Sequence, residues 1–144
     1  MNGSAGSIAI FEAELRADGR GWWTALPPQA LAFLGRVAEC HWVSIEPGAV
    51  RGNHAHADRR EVVLVRHDGP WRLAWSCSGG RPLERRFAGR GVVCVGFHPD
   101  LAHALRNEGP SALWVVSCSD RPATAEDTRR VVLLETLQGG TGAF

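Results

Sequence analysis

The chain has 144 residues, 44% apolar and 22% charged, with a formal net charge of +1. That length suits a single domain over residues 1–144 with a sizeable core, and the near-neutral charge argues against a nucleic-acid surface, which needs a basic excess. Its apolar runs fall far short of the roughly 20 residues that span a bilayer, so no membrane segment is expected.

Residues 1–7 are small and polar, without the basic and apolar pattern of a signal peptide, and are expected to fray. Residues 7–11 alternate weakly and fit an edge strand. Asp18, Gly19 and Gly21 mark a tight turn before the strand-like pair Trp22 and Trp23. Residues 28–35 are the best helix candidate, with Leu31 and Leu34 on one face. From Val37 the pattern becomes strands between turn signals: 39–45, 61–66, 71–76, 83–87, 92–96, 103–106 and 113–117. Glycine and proline punctuate them, as at Pro47 with Gly48, at Gly69 and at Gly79 with Gly80. Short strands at this spacing read as an all-β sandwich or barrel. Residues 131–137 are apolar and fit either a returning strand or a terminal helix.

Cys40, Cys77, Cys94 and Cys118 stand apart in or beside apolar runs. Without CxxC spacing they read as buried, reduced thiols of a cytoplasmic protein. Trp42, Trp71, Trp75 and Trp114 fall in strand patterns, so core or interface packing is their expected role. His41, His67 and His98 read as ordinary strand, turn and loop residues.

The chemistry concentrates between Gly48 and Glu61. His54 and His56 are two apart, so on a strand both rings point to one face. Glu61 follows His56 by five positions, which on an unbroken strand is the opposite face. The polar run of Asp58, Arg59 and Arg60 offers a turn or bulge that restores it. Val63 and Val65 then continue the inward face. Two imidazoles and a carboxylate form a transition-metal set lacking one ligand, and His103 is the candidate for the fourth. Asn53 and Asn107 flank these residues, as do Arg51 and Arg106. Arginine at a cavity mouth suits phosphate or carboxylate, so all four are candidate substrate contacts.

These residues carry a resemblance. Gly48, five residues, His54-x-His56, four residues, Glu61 and then Gly69 resembles the first cupin motif. Gly91 through His103, three residues and Asn107 resembles the second. The resemblance implies a double-stranded β-helix (jelly-roll barrel) over about residues 37–135, with at most one or two short helices. It also implies His54, His56, Glu61 and His103 as ligands of a divalent transition metal such as Zn, Fe, Mn or Ni. Two departures stand out: seven residues precede Gly69 instead of six, and the second motif's Pro-x-Gly-x-x-His is written His98-Pro99-Asp100-Leu101-Ala102-His103.

Local matches narrow the resemblance. Asp18-Gly-Arg-Gly21-Trp-Trp23 and Leu101-Ala-His103-Ala-Leu105 are similar to segments of deoxysugar 3,5-epimerases. Arg51-Gly-Asn-His54-Ala-His56 is similar to capsular polysaccharide cupin domains. Together they imply an isomerase or epimerase of nucleotide-linked keto sugars, with His54 as base and Arg51 on the diphosphate. The chain has no tyrosine, the general acid of the 3,5-epimerases, so a standard enzyme of that kind is not expected. Alternatives from other classes are a metal-dependent dioxygenase using the same ligands and a non-catalytic carbohydrate or small-ligand binding module. A homodimer is expected from the exposed strand edges of so small a barrel.

Overall fold

The computed structural model describes residues 7–77 and 80–137. The fraying expected at residues 1–6, the Gly79 half of one turn and the Gly-rich end lie outside them. In chain order the elements are β1 (Ala9–Phe11), β2 (Leu15–Asp18), β3 (Gly21–Thr24), α1 (Pro28–Leu34), β4 (Glu39–Ile45), β5 (Val50–His56), β6 (Glu61–Asp68), β7 (Trp71–Ser76), β8 (Leu83–Phe87), β9 (Arg90–Phe97), β10 (Ala102–Asn107), β11 (Leu113–Ser119) and β12 (Thr128–Arg130). Five strands form one antiparallel sheet in the order β1-β9-β6-β11-β4, and five form another in the order β12-β5-β10-β7-β8. β2 and β3 make a separate hairpin. This is the expected all-β jelly roll with one short helix, although among the described residues no pairing joins the two large sheets.

Strand alternation explains the layers. Along β6, Val63 and Val65 face the other sheet, while Val62 and Leu64 face outward towards α1. Ile45, Val95 and Val115 meet Trp71, Leu73 and Leu105 from the opposite sheet in one buried cluster. Trp71 is fully buried and stacks on Phe87 with ring centroids 4.4 Å apart. Proline at the first helical position and Gly35 at the C-cap, with φ 76°, delimit α1, as such residues do. The helix turns Ala30, Phe33 and Leu34 to the sheet, whereas Leu31, expected beside Leu34, is 43% exposed.

Trp42 and Trp114 are exposed and pack edge to face on each other across β4 and β11. The cysteines depart in part from the expected burial: Cys94 and Cys118 are buried, but Cys40 and Cys77 are exposed.

The stretch from Gly52 to His54 shapes both the site and the chain's end. His54 pairs with His103 but Gly52 pairs with Ala104, leaving Asn53 as the extra residue of a bulge. Gly52 has φ 97° and Asn53 φ 54°, a region open to glycine and tolerated by asparagine. A Cβ at Gly52 would lie 2.7 Å from the His103 carbonyl oxygen, so the close approach of β10 also requires glycine. The Asn53 amide faces away from the site. Its Oδ1 accepts the Leu133 and Leu134 N–H groups at 2.9 and 3.1 Å, and its Nδ2 donates to the Leu134 carbonyl at 2.9 Å. Residues 131–137 are therefore neither strand nor helix. They form an extended strap that buries Leu134 against Ala74 and Ala104.

Asn53→Gly keeps the backbone conformation but removes the three side-chain bonds. It is expected to cost about 1–3 kcal/mol and to release the Leu133 and Leu134 amides to rapid hydrogen exchange. Undiminished protection of those two amides would show that the strap holds without Asn53.

Candidate functional site

His54 and His56 project from β5 to one face, as their spacing predicts, with ring centroids 4.4 Å apart. Glu61 heads the next strand, as expected, but its strand lies in the other sheet. β5 and β6 belong to opposite sheets, so the 57–60 run carries the chain across the sandwich, and Glu61 faces the histidines from the other side. His103 enters from β10, beside β5. The left-handed residue before it survives the missing motif glycine, because Asp100 itself adopts φ 65° and its N–H donates to the His56 carbonyl at 2.6 Å. Phe97 lies parallel to the His103 ring at 3.9 Å and completes its seat.

The hydrogen bonds assign the imidazole protons. His103 Nδ1 is 3.1 Å from the Leu101 carbonyl, which only accepts, so Nδ1 carries hydrogen. Its Nε2 then faces Glu61 Oε1 at 2.8 Å. The Thr128 hydroxyl donates to the Thr124 carbonyl at 3.2 Å and accepts from His56 Nδ1 at 3.2 Å. His56 Nε2 then accepts from Arg59 Nη2 at 2.8 Å and lies 3.8 Å from Glu61 Oε2. Such backing of the far ring nitrogen is how metal-ligating histidines are oriented. No hydrogen bond restrains the His54 ring among the described residues.

Electrostatics fit the same picture. Burial pushes both His54 and His56 down to about 4, helped for His54 by the neighbouring His103 and His56 rings. Glu61 is displaced in the opposite sense by its own burial, which alone would raise it. The His103 bond and the surrounding imidazoles outweigh that and bring it down to about 2. One donor atom from each of His54, His56, Glu61 and His103 lies within 4.8 Å of the others. Donors bound to one ion at roughly 2.0–2.2 Å lie up to about 4.4 Å apart, so small side-chain rotations bring these onto a common ion. Their mix of imidazole and carboxylate suits Zn, Fe, Mn or Ni.

The cluster lies in a cavity of about 440 Å³ with apolar walls that include Val43, Ile45, Val63, Leu105 and Val115. Arg51 also lines it. Arg51 and His54 are three apart, and the extra residue at Asn53 is what puts both on the inner face. Arg51 Nε donates to the Ser44 carbonyl at 2.8 Å, leaving its terminal amino groups free among the described residues. The other three candidate contacts are elsewhere. Asn53 holds the strap. Arg106 points to the outer face, where it pairs with Glu108 and donates to the Glu135 carbonyl at 3.1 Å. Asn107 lies roughly 13 Å along β10 from His103. Its amide donates to the Ile45 and Ser111 carbonyls and accepts the Gly109 N–H.

Three residues escaped sequence reasoning. His41 lines the cavity and pairs with Glu39; its alternation with Val43 and Ile45 was the available signal. Arg59 is 6% exposed and also lines the cavity. Asp127 lies 3.9 Å from His56 Nδ1, brought there by the pairing of β12 with β5. No spacing in the sequence announces that pairing.

No protein-family profile and no curated protein sequence matches the chain. Solved structures do. A dTDP sugar isomerase from Desulfovibrio desulfuricans G20 superposes with a TM-score of 0.73 at 15% identity, over 87% of this chain and 83% of that one. QdtA, a sugar 3,4-ketoisomerase from Thermoanaerobacterium thermosaccharolyticum solved in complex with TDP, gives 0.65 at 14% identity, over 85% and 87%. The capsular polysaccharide assembling protein CapF from Staphylococcus aureus gives 0.61 at 18% identity, over 85% of this chain but 35% of that one. At these identities the likeness is one of fold.

The pH dependence of stability tests the electrostatics. Unfolded histidine protonates near 6.5, whereas folded His54 and His56 protonate near 4. Between those values the unfolded chain binds more protons, so stability rises with pH there. Urea midpoints of chelator-treated protein are expected to fall as pH is lowered from about 6.5 towards 4. A midpoint constant across that window would show that the two rings are not held neutral.

Proposed function

We propose that this cupin-fold chain is a metal-binding isomerase or epimerase that moves a proton beside the carbonyl of a nucleotide-linked keto sugar. One observation carries the reading: His56 and His103 are each held through Nδ1, by Thr128 and by the Leu101 carbonyl, with Nε2 towards Glu61, while no hydrogen bond among the described residues restrains the His54 ring beside them. The solved structures of sugar isomerases, one holding TDP, support the substrate class. No helix among the described residues is long and apolar enough to cross a membrane.

The division of labour follows from restraint. His56, Glu61 and His103 would hold the metal, with His54 available as a fourth ligand or as base. A bound divalent metal supplies Lewis-acid polarisation of a carbonyl oxygen. A single ring nitrogen cannot serve both purposes, and the lack of a backing hydrogen bond among the described residues supports His54 as the base. Its ring is neutral at pH 7 and accepts a proton without first losing one. In a chain without tyrosine, His41, paired with Glu39 on the cavity wall, is the group placed to return the proton. Arg51 at the mouth presents a free guanidinium edge to the diphosphate, the geometry that suits bidentate phosphate binding. A homodimer through β4 is part of this proposal. That strand is a sheet edge and carries Trp42, which is 74% exposed.

Elemental analysis of protein purified without added metal is the first test. Near-stoichiometric metal is expected, with loss in His56→Ala and His103→Ala. His54→Asn is expected to keep the metal while slowing solvent-deuterium exchange into a nucleoside-diphosphate 4-keto sugar by about 10²–10⁴-fold. Wild-type protein that neither contains nor takes up metal would sink the metal assignment, and loss of metal from His54→Asn would make His54 a ligand. Iron with substrate-dependent oxygen consumption would favour the dioxygenase, and ligand binding without turnover the binding module.

A further inference from the structure

Arg59 is a buried cation with most of its hydrogen-bonding capacity unused. An arginine 6% exposed needs a counter-charge and partners for its five N–H groups. Its Nη2 lies 2.8 Å from both ring nitrogens of His56; since His56 Nδ1 donates to Thr128, the N–H points to Nε2. Nothing else among the described residues accepts from it. The nearest carboxylate oxygen, Asp127 Oδ2, is 3.7 Å from Nε, beyond hydrogen-bonding distance. Both of those atoms are buried without a partner. Asp127 spends its other oxygen on the Asp58 N–H at 2.8 Å.

A purely structural arginine would close that gap onto Asp127. Arg59 instead lines the cavity beside His54, Glu61 and His103. We infer that Arg59 is the oxyanion receptor of this cavity, taking a planar pair of oxygens, as in an enediolate or carboxylate, on its Nη1 and Nη2 edge. The guanidinium fork matches two coplanar oxygens, and such a preorganised donor pair stabilises charge where it develops. The identification of that charge as a sugar enolate rests on the proposed isomerisation; the binding site itself does not.

Oxalate, a planar mimic of an enediolate, is the probe. Calorimetric titration of the full chain after chelator treatment is expected to show binding that weakens at least about tenfold in Arg59→Gln and is partly restored in Arg59→Lys. Equal affinity in Arg59→Gln would overturn the inference, as would a loss confined to Arg51→Gln. Should Arg59→Gln fail to fold, the buried Nε–H of wild-type Arg59 gives the readout by ¹⁵N NMR, shifting with oxalate if the inference holds and staying fixed if it does not. Because no metal is present in any arm, failure of the metal assignment and failure of this site give different results. Acetate run in parallel separates the sources of the anion: oxalate bound far more tightly than acetate indicates the two-oxygen edge of an enediolate, and equal binding a simple carboxylate.

Discussion

A single carboxylate, Glu61, sits between the two sheets and governs what surrounds it. Burying an ionised carboxylate is costly unless opposite charge or hydrogen bonds surround it. Here His103 donates to one oxygen at 2.8 Å and His56 stands 3.8 Å from the other. The partners come from the sheet opposite β6, so the same contact that satisfies the charge also pins the two halves of the sandwich together at this end. At the other end, Asn107 joins the turn after β10 to β4 through the Ile45 carbonyl, again across the sheets. Between them lies the apolar core, with Trp71, Leu73, Val65 and Val95 wholly buried.

The bulge at Asn53 is the second constraint, and it links the site to the rest of the chain. It inserts one residue between Arg51 and His54, bringing both to the cavity, and turns the Asn53 amide outward to fix the strap. β12 then pairs along β5 opposite His54 and His56 and delivers the Thr128 hydroxyl to His56. Thus the tautomer of a candidate ligand depends on a strand more than 70 positions later in the chain.

Much of the fold was legible because alternation and turn residues are local signals. β4 and β7 coincide with their expected bounds, α1 falls one residue short, and the His54, His56, Glu61 and His103 spacing located the cluster. The failures were those of partner assignment. Glu61 was expected at the head of the next strand after a turn or bulge, but nothing local announced that this strand lies in the opposite sheet, across a four-residue crossover. Asn53, Arg106 and Asn107 were judged by nearness in sequence to the ligands. Alternation sends Arg106 outward, distance along the strand removes Asn107, and a positive φ turns Asn53 to the strap. β12 is short, exposed and without apolar alternation, so its pairing and the arrival of Asp127 had no local signature. Arg59 looked like any charged residue in a polar turn, and its burial is a consequence of that turn crossing the sandwich.

These constraints place His56, His103 and Arg59 around two carboxylates, Glu61 and Asp127. His103 Nε2 faces Glu61 at 2.8 Å, and Arg59 Nη2 donates to the His56 ring at 2.8 Å. A divalent ion, were one bound, would take the ring nitrogens that these contacts now occupy and would free Arg59 Nη2 from His56. The freed guanidinium would then have the unsatisfied oxygen of Asp127 or an anion in the cavity as its partner. An ion of charge +2 beside Glu61 would leave the cavity with excess positive charge and so would favour the anion. The buried arginine and the ligand cluster are in this way parts of one electrostatic arrangement.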